Sequence, residues 1–149
     1  MKYTKYQQGE DITLEEMKYY LRIVDDTHDA ELSVLLKSAT LYVQEYFNVA
    51  LVACSVVQEQ LQADTSFKLF LSDRSNIQVK DWGNNAIDFS VVGDNLNIGE
   101  SKAVKISYDC EPITDTKQYA PIVYQIAGAN YDGQAEQIQK ILNNYPVML

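Results

Sequence analysis

The side chains best suited to chemistry lie in the stretch Asp25-Asp-Thr-His-Asp29, which contains His28, the one histidine of the chain. Carboxylates around an imidazole can bind a metal ion. The same stretch precedes a helical pattern, and acidic residues there favour the positive end of the helix dipole. We therefore interpret it as a helix start, and we predict no metal site and no cofactor site.

Few residues of the chain are candidates for a catalytic nucleophile. Cys54 and Cys110 lie in stretches that resemble strands, without metal-ligand spacing, and a histidine at a helix start is a poor partner base for either. We interpret both cysteines as reduced core residues. The sequence contains no phosphate-binding loop and no dinucleotide fingerprint. These observations predict that the protein is not an enzyme.

The length and the net charge of the chain argue against further classes of function. The 149 residues carry a net charge of −9, from 12 Lys and Arg against 21 Asp and Glu. The cations are scattered, whereas nucleic-acid binding requires clustered ones. No apolar run reaches the length of a membrane span, so we predict no membrane partner. The length predicts a single domain, residues 1–149, around one core.

Two capped helices are predicted within about residues 13–47. Thr13 and Glu16 are spaced as a capping box, in which each side chain accepts from the backbone N–H of the other residue. The first helix is expected to end near Arg22. The second has a core face at three- and four-residue spacing, made of Leu32, Leu35, Leu36, Ala39, Val43, Tyr46 and Phe47, with Gln44 elsewhere.

Val34 and Leu41 project away from this core face, among polar neighbours. Isolated apolar residues are common on protein surfaces, which is one interpretation. The other is a second contact surface.

The period changes to alternation in about residues 55–110. We predict five strands, Val57–Leu61, Phe67–Leu71, Ile77–Trp82, Ile87–Val91 and Val104–Tyr108, with Leu96–Ile98 as a possible sixth. Turn-forming clusters separate them, including one at Gly99, and the short connections favour antiparallel hairpins.

Helical periodicity returns in about residues 115–144. Asp115 or Thr116 is suited to cap the third helix, whose core face includes Tyr119 and Ile122. Tyr124, Ala127 and Tyr131 cover much of its opposite side, where the second cover could be another subunit. The fold class is therefore α+β: a small helical bundle of two N-terminal helices and the C-terminal helices, with an inserted antiparallel β region.

This order of elements resembles the phage head-tail connector proteins, also called head-completion or adaptor proteins. The resemblance rests on Ile12–Ile23 with the acidic pair that follows, on Tyr42–Phe47, on Val104–Tyr108 and on Ile138–Val147. It implies a structural virion protein at the head-tail junction, assembled in the cytoplasm of a bacterial host, without catalysis or cofactor.

The resemblance also implies partners. Copies would form a ring, typically twelve-fold, that docks on the portal protein, meets a tail or stopper protein, and passes DNA without sequence-specific binding. On this basis Val34, Leu41, Tyr124 and Tyr131 are candidates for subunit contact. The candidates for portal docking are the apolar end of the chain, Tyr145, Pro146, Val147, Met148 and Leu149.

Two alternatives remain open. One is a small acidic binding or inhibitor module that mimics the charge of DNA. The other is a metal-dependent nuclease using acidic pairs such as Glu15-Glu16 and Asp25-Asp26, although charge at helix starts explains these pairs as well.

Overall fold

The computed structural model describes residues 1–145, which form two compact units. The β unit comprises Met1–Gln7 and Val52–Pro112, and the helical unit comprises Gln8–Leu51 and the chain from Ile113 onward. Within the described residues there are four α-helices and five antiparallel strands, so the predicted α+β class is confirmed. That residues 1–149 act as a single domain stays a prediction.

The β unit is one antiparallel sheet with the strand order β1-β2-β5-β3, in which β4 also pairs with β5. The strands are β1 (Lys2–Gln7), β2 (Ala53–Lys68), β3 (Arg74–Asp81), β4 (Phe89–Val92) and β5 (Asn95–Cys110). Buried side chains alternate along β2 and β5, as expected for a sheet with one buried face. That face includes Val56, Val79, Val104 and Ile106.

Several predicted strands are parts of longer ones. All of Val57–Leu61 and the first two residues of Phe67–Leu71 belong to β2. Leu96–Ile98 and Val104–Tyr108 both belong to β5, so the turn predicted at Gly99 is wrong. The register between β2 and β5 shifts twice between Gln60 and Ser66. The polar residues between Leu61 and Ser66 therefore lie in an irregular part of β2. The shifts in register accommodate them without ending either strand.

A buried polar network holds the end of β2 against β5. The Tyr108 hydroxyl donates to the side-chain oxygen of Gln58 and accepts from the backbone N–H of Phe70 at 3.2 Å. The Gln58 amide donates in turn to the carbonyl of Lys68 at 3.0 Å. Burial raises the pKa of Tyr108 to about 12, so the hydroxyl remains a donor at neutral pH.

The helical unit contains α1 (Leu14–Leu21), α2 (Asp29–Phe47), α3 (Ala120–Tyr131) and α4 (Ile138–Asn143). None of the helices within residues 1–145 is long and apolar enough to cross a membrane. The predicted core face of α2 is confirmed in most positions, because Leu32, Leu36, Ala39, Val43 and Phe47 are buried. Leu35 is partly buried and Tyr46 is exposed.

Polar residues account for two departures from the predicted helices. Gln44, expected outside the core, is buried because its side-chain oxygen accepts from the N–H of Leu51 at 2.8 Å, beyond the helix end. Neither Asp115 nor Thr116 caps α3, since a 3-10 helix (Thr116–Tyr119) precedes it. The Thr116 hydroxyl donates instead to the Asp11 carboxylate at 2.6 Å.

Candidate assembly surfaces

The N-terminus of α1 is capped by the adjacent Thr13 and by Tyr124, which is distant in sequence. Thr13 accepts from the Glu16 N–H at 3.2 Å, as the capping box predicts. The second bond of the capping box, from the Thr13 N–H to the Glu16 side chain, passes through Tyr124 of α3. The Thr13 N–H donates to the Tyr124 hydroxyl at 3.2 Å, and that hydroxyl donates to the Glu16 carboxylate at 3.1 Å. Tyr124 is 4% exposed, and its burial raises its pKa to about 12.

The second cover of α3 includes α1 of the same chain. The rings of Tyr20 and Tyr124 lie 5.6 Å apart between centroids. A Cβ atom on Gly128 would lie 2.7 Å from a terminal methyl of Leu21, so the absence of a side chain there permits close packing. The apolar second face of α3 is thus explained within the chain, and contact of Tyr124 with another subunit stays a prediction.

The other three candidates for subunit contact differ in exposure. Val34 is 65% exposed, and Leu41 is half-buried on the same helix, two turns later. Tyr131, at the end of α3, is also half-buried and packs edge-on against His28, with 5.9 Å between ring centroids. Val34 is therefore the most accessible of the four.

The acidic stretch before α2 binds a lysine of α1. The Lys18 ammonium lies 2.7 Å from a carboxylate oxygen of Asp26 and 2.7 Å from one of Asp29. These bonds raise the pKa of Lys18, and the bond to Lys18 lowers that of Asp26. His28 occupies the N-cap position, so the predicted helix start is confirmed. The described residues contain no group of three or more His, Cys, Asp or Glu side chains that could hold a metal ion.

Cys54 and Cys110 are buried and lie directly opposite each other on β2 and β5, and no disulfide joins them. A hydrogen bond with Cys54, together with burial, raises the pKa of Cys110. A protonated thiol is a weak nucleophile, which agrees with a role in the core.

Of the predicted docking segment, the structure describes Tyr145. This residue is half-buried beside the helical core, and its hydroxyl accepts from the Gln125 side chain at 2.9 Å. Pro146, Val147, Met148 and Leu149 lie outside the described residues.

Residues 11–80 match the family described as phage gp6-like head-tail connector protein. This range contains α1, α2, β2 and nearly all of β3. The resemblance to phage head-tail connector proteins is confirmed.

Solved structures share the fold of this chain. A chain from the neck of an empty GTA particle, computed with C6 symmetry, is 13% identical with a TM-score of 0.54. A chain from the virion of a native gene transfer agent (GTA) particle is 14% identical with a TM-score of 0.53. Both alignments cover 89% of this chain and 84% of the other, and at these identities they show the fold alone. No curated protein sequence matches.

Exposed aromatic residues are the surface features that the sequence did not locate. Tyr19 on α1 and Trp82 after β3 are 88% and 45% exposed. The excess of tyrosine, 11 against 4 phenylalanines, indicates such a surface without saying where it lies. A helical count on α1 could have found Tyr19, since it lies four residues after Glu15 and away from buried Met17.

Proposed function

We propose that this chain is a structural subunit of a ring that joins the phage portal to the tail and continues the channel for DNA. The observation that carries the proposal is the family match over residues 11–80, which includes both N-terminal helices. The fold shared with one chain from the neck and one from the virion of GTA particles supports it. The role is non-catalytic and without cofactor, at the head-tail junction of the virion, after assembly in the cytoplasm of the bacterial host.

In this proposal the ring is twelve-fold, with the portal on one side and a tail or stopper protein on the other. A ring requires two different contact faces on each subunit, because head-to-tail contacts close by rotation. Val34 and Leu41 supply one such contact, with Tyr131 and the edge of Tyr124 as further candidates. The net charge of −9 suits a channel through which DNA passes without being bound.

The proposal is tested by mixing the chain with the portal protein encoded by the same genome and imaging the product by electron microscopy. We expect an added ring of this chain on the portal. Portal particles that remain bare at saturating concentrations of the chain would contradict the proposal.

The subunit contact is tested with Val34→Asp, which should prevent ring formation while leaving the fold intact, because Val34 is 65% exposed. Val92→Asp is the matched control, since Val92 is 69% exposed on β4. A Val34→Asp chain that completes the ring as well as the control would remove Val34 from the contact. Tyr124→Asp is unsuitable, because a charge at this buried position would disturb the helical core.

Portal docking is tested by deleting Pro146–Leu149. Tyr145 remains in this variant, so its bond with Gln125 is kept and the helical unit should stay folded. We expect loss of portal binding with unchanged circular dichroism. Full portal binding by the shortened chain would exclude this segment as the docking site.

A further inference from the structure

The helical unit presents a surface that is both acidic and aromatic. We define the acidic face as Glu15, Glu16, Tyr19 and Tyr20 of α1. Tyr19, 88% exposed, lines two neighbouring surface depressions and so forms a ridge between them. The first is lined by Thr13, Glu15, Glu16, Tyr19, Tyr20 and Tyr124, and the second includes Leu14, Lys18, Ile23, Asp26 and Asp29.

The charge of the chain is concentrated in this unit. Residues 8–51 and 113–149 contain 5 Lys and Arg against 12 Asp and Glu, whereas residues 1–7 and 52–112 contain 7 against 9. The helical unit therefore supplies most of the negative charge. It would attract a partner that presents cations beside an apolar surface.

The β unit presents such a surface. Lys80 of β3 and Lys105 of β5 lie directly opposite each other, and both are exposed. The Lys105 ammonium lies 4.4 Å from the centroid of the Trp82 ring, which is 45% exposed. We define the basic face as Lys80, Trp82 and Lys105.

The carboxylate opposite this face on β2 forms an ion pair with a different lysine. Glu59 lies opposite Lys105 on β2, and it pairs with Lys2 at 3.4 Å. Like charges directly opposite on neighbouring strands are destabilising, so the Lys80–Lys105 pair works against the stability of the isolated sheet. An anionic partner placed over both ammonium groups would remove that repulsion.

We infer that the acidic face of one copy docks on the basic face of a second copy. The carboxylates of Glu15 and Glu16 would meet the ammonium groups of Lys80 and Lys105, and the Tyr19 ring would pack near Trp82. The two faces share no residue, so the contact joins unlike surfaces of the two copies and is head-to-tail. This inference rests on the proposed ring and names its contact. Duplex DNA is a weaker candidate for the basic face, because the net charge of −9 repels it.

Charge reversal tests the contact in the full chain. The basic-reversed variant is Lys80→Glu with Lys105→Glu, and the acid-reversed variant is Glu15→Lys, which spares the Glu16 bond to Tyr124. Sedimentation equilibrium would follow each from about 10 µM to about 1 mM at about 50 mM salt, where surface charges are weakly screened. Lys68→Glu with Lys117→Glu is the control, since it changes the net charge equally at exposed positions.

We expect the wild-type chain to self-associate, and to do so less at about 500 mM salt. The basic-reversed variant should associate at least about tenfold more weakly, because like charges across an interface cost several kcal/mol. The control should associate as the wild type does. A mixture of the two reversed variants should regain association, since the intact acidic face of one variant can meet the intact basic face of the other.

A wild-type chain that stays monomeric at about 1 mM would overturn the inference. So would reversed variants that associate like the wild type, or binding of a short DNA duplex that requires Lys80 and Lys105 without self-association. The proposed function can be wrong while the contact between the two faces is right. If the wild-type chain associates through these faces but leaves the portal bare, the ring on the portal is wrong while the contact stands.

Discussion

Replacing Tyr124 by phenylalanine removes a hydroxyl that joins α3 to the N-terminus of α1. The Thr13 N–H then loses its acceptor at 3.2 Å, and the Glu16 carboxylate loses a donor at 3.1 Å. A net hydrogen bond contributes about 1 kcal/mol, and an unsatisfied buried donor costs about 1–3 kcal/mol. Water can replace the donor at exposed Glu16, so we expect the free energy of unfolding to fall by about 1–2 kcal/mol.

The assay for Tyr124→Phe is urea unfolding followed by circular dichroism, with the free energy extrapolated to water. Tyr19→Phe is the matched control, because it removes a hydroxyl from a side chain that is 88% exposed on α1. The control should change stability by less than about 0.5 kcal/mol. If Tyr124→Phe were as stable as Tyr19→Phe, the hydroxyl would not hold the α1 cap and the reasoning would be refuted.

Two further predictions concern buried polar groups. Gln44→Leu should lower the free energy of unfolding by about 1–3 kcal/mol, because the N–H of Leu51 loses its acceptor at 2.8 Å; equal stability in urea would contradict this. Alkaline pH should also destabilise the fold, because Tyr108 and Tyr124 have folded pKa values of about 12 against an ordinary 10.0. The folded state holds these protons more tightly, so their contribution is complete below pH 10 and is lost as pH rises towards 12. Unfolding free energies that stay level across this window would contradict the assignment.

The amphipathic helices were predictable because burial there follows a three- and four-residue period. Along α2 this period identified Leu32, Leu36, Ala39, Val43 and Phe47 correctly. Gln44 escaped the prediction because its burial depends on a backbone group beyond the end of its own helix. The periodicity of apolar residues predicts which face of a helix is buried. It cannot predict that a polar side chain is buried because it bonds to a backbone group outside the helix.

Strand boundaries were harder to predict, because a bulge and a turn have similar composition. The sequence predicted separate strands before and after residues 62–66 and a turn at Gly99, yet β2 and β5 continue through these positions. β1 was missed because its half-buried residues, Tyr3 and Tyr6, do not alternate with its polar ones in the usual period of two.

Within the candidate site, the prediction was poorest for Tyr124, whose side chain belongs to α3 and forms hydrogen bonds at the start of α1. Tyr124 was placed on an uncovered face of α3, since the sequence gives no sign that Thr13 and Glu16 would meet its hydroxyl. Val34 could be identified, because an exposed valine among polar neighbours is visible in a helical count.

The bond between Thr13 and Tyr124 joins positions 111 residues apart, with all of β2 to β5 between them. Synthesis proceeds from the N-terminus, so α1 and α2 leave the ribosome well before α3 exists. The part of the α1 cap that Tyr124 supplies must therefore wait for the last third of the chain. Because contacts at long sequence separation slow folding, completion of the helical unit should be the late step in the folding of the chain. A truncated nascent chain would then lack the finished surface of α1 and could not enter an assembly that uses it.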